Sequence, residues 1–98
     1  MSTEPPPTAD ESLPYGTRFL NALRLFGMPT SFLKYDELQR LKVAERDEAI
    51  TILRGKQFGL TYAQIQQLKR LDPEAAAERF AIQAQLAAQQ AALLFLMF

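Results

Sequence analysis

Glu45, Asp47 and Glu48 form the densest group of reactive side chains in this sequence, three carboxylates within four positions. Paired carboxylates can act as general acid and base, and several together can hold a hard cation. A cation loop, however, needs oxygens converging from a turn with glycine at the bend. Here Arg46 stands inside the group, and nothing around it marks a pocket that would shift a carboxyl pKa. A solvated helix face is the expected outcome, with no metal bound. The hydroxyl nucleophiles fare no better. Ser2, Ser12 and Ser31 lie in a tail or a loop, and the chain has no histidine to activate them and no cysteine. Thiol chemistry, disulfides and Cys/His zinc sites are thereby excluded, along with the side chain that most often moves protons near neutral pH. The expectation is a protein that is not an enzyme, with no catalytic residue and no cofactor.

Cationic residues raise a second possibility. Arg54, Lys56, Lys69 and Arg70 make the middle of the chain basic and could meet phosphates. Against this, the 11 Lys and Arg balance the 11 Asp and Glu, and the pI is near 6.2. No overall field therefore favours nucleic acid or anionic lipid. Charge instead alternates in blocks, acidic at Glu4, Asp10 and Glu11, basic through Arg18, Arg24 and Lys34, acidic again from Asp36 to Glu48. Such blocks mark solvated faces or complementary subunit surfaces.

The elements that would carry these groups are helical. Residues 1–14 hold Pro5, Pro6, Pro7 and Pro14 with little apolar content, and are expected to form a disordered, acidic, proline-rich tail. Residues 15–98 are expected to form one helical domain. Thr17 can cap a helix over residues 18–26, in which Phe19, Leu23 and Phe26 share a face and Arg18, Asn21 and Arg24 the other. Gly27 and Pro29 end it. Asp36 and Gln39 suggest a capping box for a helix over 36–43. Glu45 interrupts the apolar stripe Leu38, Leu41, Ala49, Ile52, Leu53, which predicts a break and a separate helix over 45–56. Thr61 and Gln64 cap a helix over 62–71, with Leu60 stapled on Ile65 and with Ile65, Leu68 and Leu71 facing the core. Asp72-Pro73-Glu74 opens a last helix over 73–97. Period-two alternation is absent, so the fold class is all-α, a small bundle of four to five helices with a long C-terminal one.

Within this frame, Gly59, Leu60, Thr61, Tyr62 and Ile65 spell the "GLTYxxI" turn. On these residues, the stretch from Arg46 to Arg79 loosely resembles the helix-turn-helix of sigma-factor region four and related regulators. The resemblance implies a DNA-binding regulator, in which the following helix enters the major groove with Arg, Lys, Asn or Gln at the bases. The sequence at that place reads PEAAAERFAIQ, acidic and then apolar.

The last helix carries two apolar faces. Ala84, Ala87, Ala88, Ala91 and Phe95 fall on one, with Phe80 and Phe98 at its edge. Ile82, Leu86, Leu93 and Met97 fall nearly opposite, and Gln83, Gln85, Gln89 and Gln90 lie between. A helix apolar on two sides is buried on two sides, and a small domain has little material with which to wrap both. One face could meet the 18–26 helix and the other a partner subunit. The candidate partner interface is Ile82, Leu86, Leu93, Phe95, Leu96, Met97 and Phe98.

These readings point to a non-enzymatic structural or assembly subunit that docks by this helix into another protein or a copy of itself. Components of phage or virus-like particles, adaptor subunits and assembly factors share this form. DNA binding through Arg54, Lys56, Lys69 and Arg70 is the first alternative. Membrane attachment is the second, weakened by four glutamines within residues 80–98. The acidic, proline-rich start does not resemble a signal peptide, so the expected location is cytoplasmic or within a particle.

Overall fold

The computed structural model describes residues 11–55 and 61–97, the side chains of Phe95 and Met97 excepted. Residues 1–10 of the tail expected over 1–14, Lys56, the Gly59-Leu60 part of the turn, the Leu60 staple and Phe98 lie outside the described residues. The chain is all-α: α1 (Tyr15–Leu25), α2 (Tyr35–Lys42), α3 (Arg46–Arg54), α4 (Tyr62–Leu68) and α5 (Pro73–Met97), with no strand among the described residues.

Several helix ends follow from local chemistry. After α1, Gly27 takes φ +72°, its N–H donates to Arg24 O at 3.0 Å, and Met28 N–H donates to Leu23 O at 3.0 Å. This pair of bonds is a Schellman stop. At α4, Thr61 Oγ1 accepts from Gln64 N–H at 3.2 Å while Gln64 Oε1 accepts from Thr61 N–H at 2.7 Å, a complete capping box. At α5, Asp72 Oδ1 accepts from Ala75 N–H at 2.8 Å, and Pro73 occupies the first helical position.

Other ends differ from the sequence expectation. Thr17 does not cap α1. The helix begins at Tyr15, after Pro14, and the Thr17 hydroxyl donates instead to Lys42 O. One residue earlier, Gly16 N–H donates to Ala44 O at 2.9 Å. A Cβ at Gly16 would lie 1.6 Å from Leu41 O, so only glycine permits this backbone-to-backbone seat. The start of α1 is therefore set by its docking on the α2–α3 corner. Likewise α2 begins at Tyr35: Glu37 Oε1, not Gln39, reaches back to accept from Lys34 N–H at 3.0 Å, and Asp36 sits in the first turn. The break between α2 and α3 falls at Val43–Glu45, where Ala44 is fully buried beneath Gly16. α4 stops at Leu68, three residues early, because residues 69–71 tighten into turns (Arg70 N–H to Gln67 O, Leu71 N–H to Leu68 O) that deliver Asp72 to its capping position.

The core forms where α1 crosses the first turns of α5. Phe19, Leu20 and Leu23 pack with Ala76, Ala77, Phe80 and Ala81, while Leu41, Ala49, Ile50, Leu53 and Leu68 close the remaining sides. Phe80 is the hub. Its ring meets Phe19 edge-on (5.7 Å, 79°) and stacks with Phe32 (5.7 Å, 29°). Small residues at 76, 77 and 81 let α1 approach closely. Arg18 locks the register by a two-pronged bond to Glu74, Nε to Oε1 at 3.1 Å and Nη2 to Oε2 at 3.0 Å. Phe26 departs from expectation. As the C-cap of α1 it turns away from the core and is 46% exposed.

Candidate docking surface

From Ile82 onward α5 leaves the body. Every described side chain from Ala88 to Leu96 is exposed, and the large apolar ones are conspicuous: Ile82 44%, Leu86 45%, Leu93 60%, Leu94 58% and Leu96 80%. Two of these, Ile82 and Leu86, begin the stripe on the side of α5 away from α1. Leu94 lies on the alanine side, next to Ala87 and Ala91. The expectation that α1 covers one whole face of this helix thus meets a limit. Full coverage ends with Ala81, and the face continues half-buried at Ala84 and Ala87 and exposed at Ala88 and Ala91.

At the point where coverage ends, the chain forms a groove of about 320 Å³. Phe26, Met28 and Pro29 make one wall, and Ala81, Ala84 and Ala88 make the other. Alanines on α5 leave Phe26 nothing to bury against, which is why its ring stays half open. Sequence reasoning missed Leu94 and Phe26 as surface residues. Leu94 could have been found as a large side chain flanking an alanine stripe. The exposure of Phe26 depends on the crossing of two helices and has no local signal.

The carboxylate group is positioned quite differently. Glu45, Asp47 and Glu48 rim a broad open cleft of about 770 Å³, opposite Asp72 and Pro73, with Tyr15 and Arg18 also in its lining. Arg46 lies over the Tyr15 ring at 5.7 Å. The Tyr15 hydroxyl is buried without a hydrogen-bond partner among the described residues. Burial pushes it up to about 12, opposed by Arg46 and reinforced by Asp72 and Glu74. It stays protonated at neutral pH and cannot serve as a general base there. Among the described residues no three His, Cys, Asp or Glu converge to hold a metal ion.

The basic residues are also placed. Arg54 ends α3 with its guanidinium 6.0 Å over the exposed Tyr62 ring. Lys69 is half-buried and Arg70 exposed in the turn that leads to α5. The helix that would follow the turn into a DNA groove is α5, whose Ala76, Ala77 and Phe80 are fully buried and whose Glu74 is tied to Arg18. No helix among the described residues is long and apolar enough to cross a membrane. Comparison with protein-family models, curated proteins and solved structures finds no match to this chain.

Proposed function

We propose that this protein is a non-enzymatic structural or assembly subunit that docks through the projecting half of α5. One observation carries the reading: Ile82, Leu86, Leu93, Leu94 and Leu96 are exposed on a helix that has no charged residue after Arg79. Burying each such side chain is worth about 1.5–3 kcal/mol. Five together supply a gain of the same order as the ~4–15 kcal/mol that association costs in lost freedom. The glutamines at 83, 85, 89 and 90 suit a protein surface, where their amides find partners, better than hydrocarbon. Particle components and adaptor subunits use helices in this way.

The test is Leu93→Asp in the full chain. The expected result is loss of incorporation into the native complex, with helical circular dichroism unchanged because residue 93 touches none of the body's core. Incorporation at the level of the unmodified chain would overturn the proposal.

A further inference from the structure

The exposed large residues of α5 are not randomly spaced. Ile82, Leu86, Leu93 and Leu96, with Gln89 between them, stand at steps of four, three, four and three. That is the heptad spacing of a coiled-coil seam, with Leu86 and Leu93 at a and with Ile82, Gln89 and Leu96 at d. All five are exposed. The seam also faces away from α1. Ala77, Phe80 and Ala81, on the opposite side of the helix, are the residues that α1 buries.

We infer that the occupant of this seam is a further copy of the same chain, joined parallel and in register. This rests on the docking role proposed for α5 and names its partner. Three observations select it. First, a seam with no charge between residues 80 and 97 repels no copy of itself, and it offers a charged partner nothing to pair with. Second, Gln89 is the single polar residue in the seam. In a parallel, in-register bundle each Gln89 faces another, and an amide is both donor and acceptor, so the polar groups satisfy one another. An antiparallel pair would set Gln89 against Leu86 or Leu93 and leave its amide unpaired. Third, α1, the main contact of the body with α5, lies on the side of the helix opposite the seam and so leaves the seam open to a copy.

The seam is only two heptads long, so two strands bury little. A third or fourth strand adds burial without adding length.

The absence of cysteine from the chain makes the test clean. Ile82→Cys and Leu96→Cys are prepared separately in the full chain and equilibrated in a thiol–disulfide buffer, alone and mixed. In-register parallel packing gives 82–82 and 96–96 disulfides and no 82–96 disulfide. The residues are then about 21 Å apart along the axis. Light scattering on the unmodified chain gives a mass of more than one copy, reduced to one copy by Leu86→Asp. A chain that remains monomeric at its highest soluble concentration overturns the inference, as do mixed 82–96 disulfides. Either result leaves the wider docking role standing if Leu93→Asp still abolishes incorporation into the native complex. If Leu93→Asp changes neither, both fall.

Discussion

The two halves of α5 share a high alanine content and are opposite in fate. Pro73–Ala81 has one large apolar residue, Phe80, and Ile82–Met97 has seven, yet the first half holds the fully buried centre of the core and the described side chains of the second are half-buried or exposed. The difference is one of reach. At 1.5 Å per residue α5 is about 37 Å long, whereas α1, the helix that covers it, is about 16 Å. The Arg18–Glu74 bond and the Gly16 seat pin α1 over the first turns of α5, and the Gly27 stop ends it before it can go further. An apolar side chain therefore stabilises this fold only when it lies within reach of α1. Beyond that, the same side chain is available to a partner.

This contrast can be broken by paired substitutions. Phe80→Ala removes the ring that meets Phe19 and Phe32 and should cost about 4 kcal/mol in chemical denaturation. Leu93→Ala, beyond the body, should cost less than about 0.5 kcal/mol while weakening assembly. Equal losses from both would show that the second half is packed after all. The next largest effect is expected at the pin itself. Gly16→Ala forces a methyl group into Leu41 O and should destabilise by about 3 kcal/mol, read as a shift in the denaturation midpoint without a change in slope.

Tyr15 sharpens the comparison from the other side of the body. Its hydroxyl has the ordinary pKa of 10.0 when unfolded and about 12 when folded. A group whose proton is held more tightly in the native state contributes stability below pH 10, and this is lost as pH rises through 10 to 12. The alkaline loss should approach ~2 kcal/mol and be absent in Tyr15→Phe. That variant should also gain about 1 kcal/mol at neutral pH, because it removes a buried, unpartnered hydroxyl. Smallest of all, replacing Lys69 and Arg70 by glutamine should change stability by less than about 0.5 kcal/mol. Neither form should retain duplex DNA at about 50 mM salt in a gel-shift titration, and retention lost on this replacement would favour the regulator reading instead.

What the sequence discloses here is whatever local chemistry decides. Gly27, the Thr61–Gln64 box and the Asp72-Pro73 start are each settled within four or five residues, and each appears in the structure where its residues stand. Thr17 and Phe26 mislead because distant groups decide them, whereas Asp36 misleads because a neighbouring pair, Lys34 and Glu37, starts the helix one residue earlier. Thr17 has a better acceptor in Lys42 O, 25 positions away, and α1 starts where Gly16 can touch Ala44. Phe26 has the spacing of a core residue but faces alanines too small to cover it. At the docking surface, Ile82, Leu86, Leu93 and Leu96 are legible as an apolar stripe that a short chain cannot wrap. The Phe26–Pro29 groove is not, since it exists only through the crossing of α1 and α5.

The division at Ala81 also has a consequence in time. During synthesis α1 emerges early but cannot complete its packing until residues 73–81 have followed, since its main contact lies more than fifty residues downstream. Once Ala81 is available the body holds every residue of its core, and the remaining stretch of α5 adds nothing to it. The body's core is thus complete without the adhesive segment. Folding and joining are then separable events, because the core makes no use of the sticky residues.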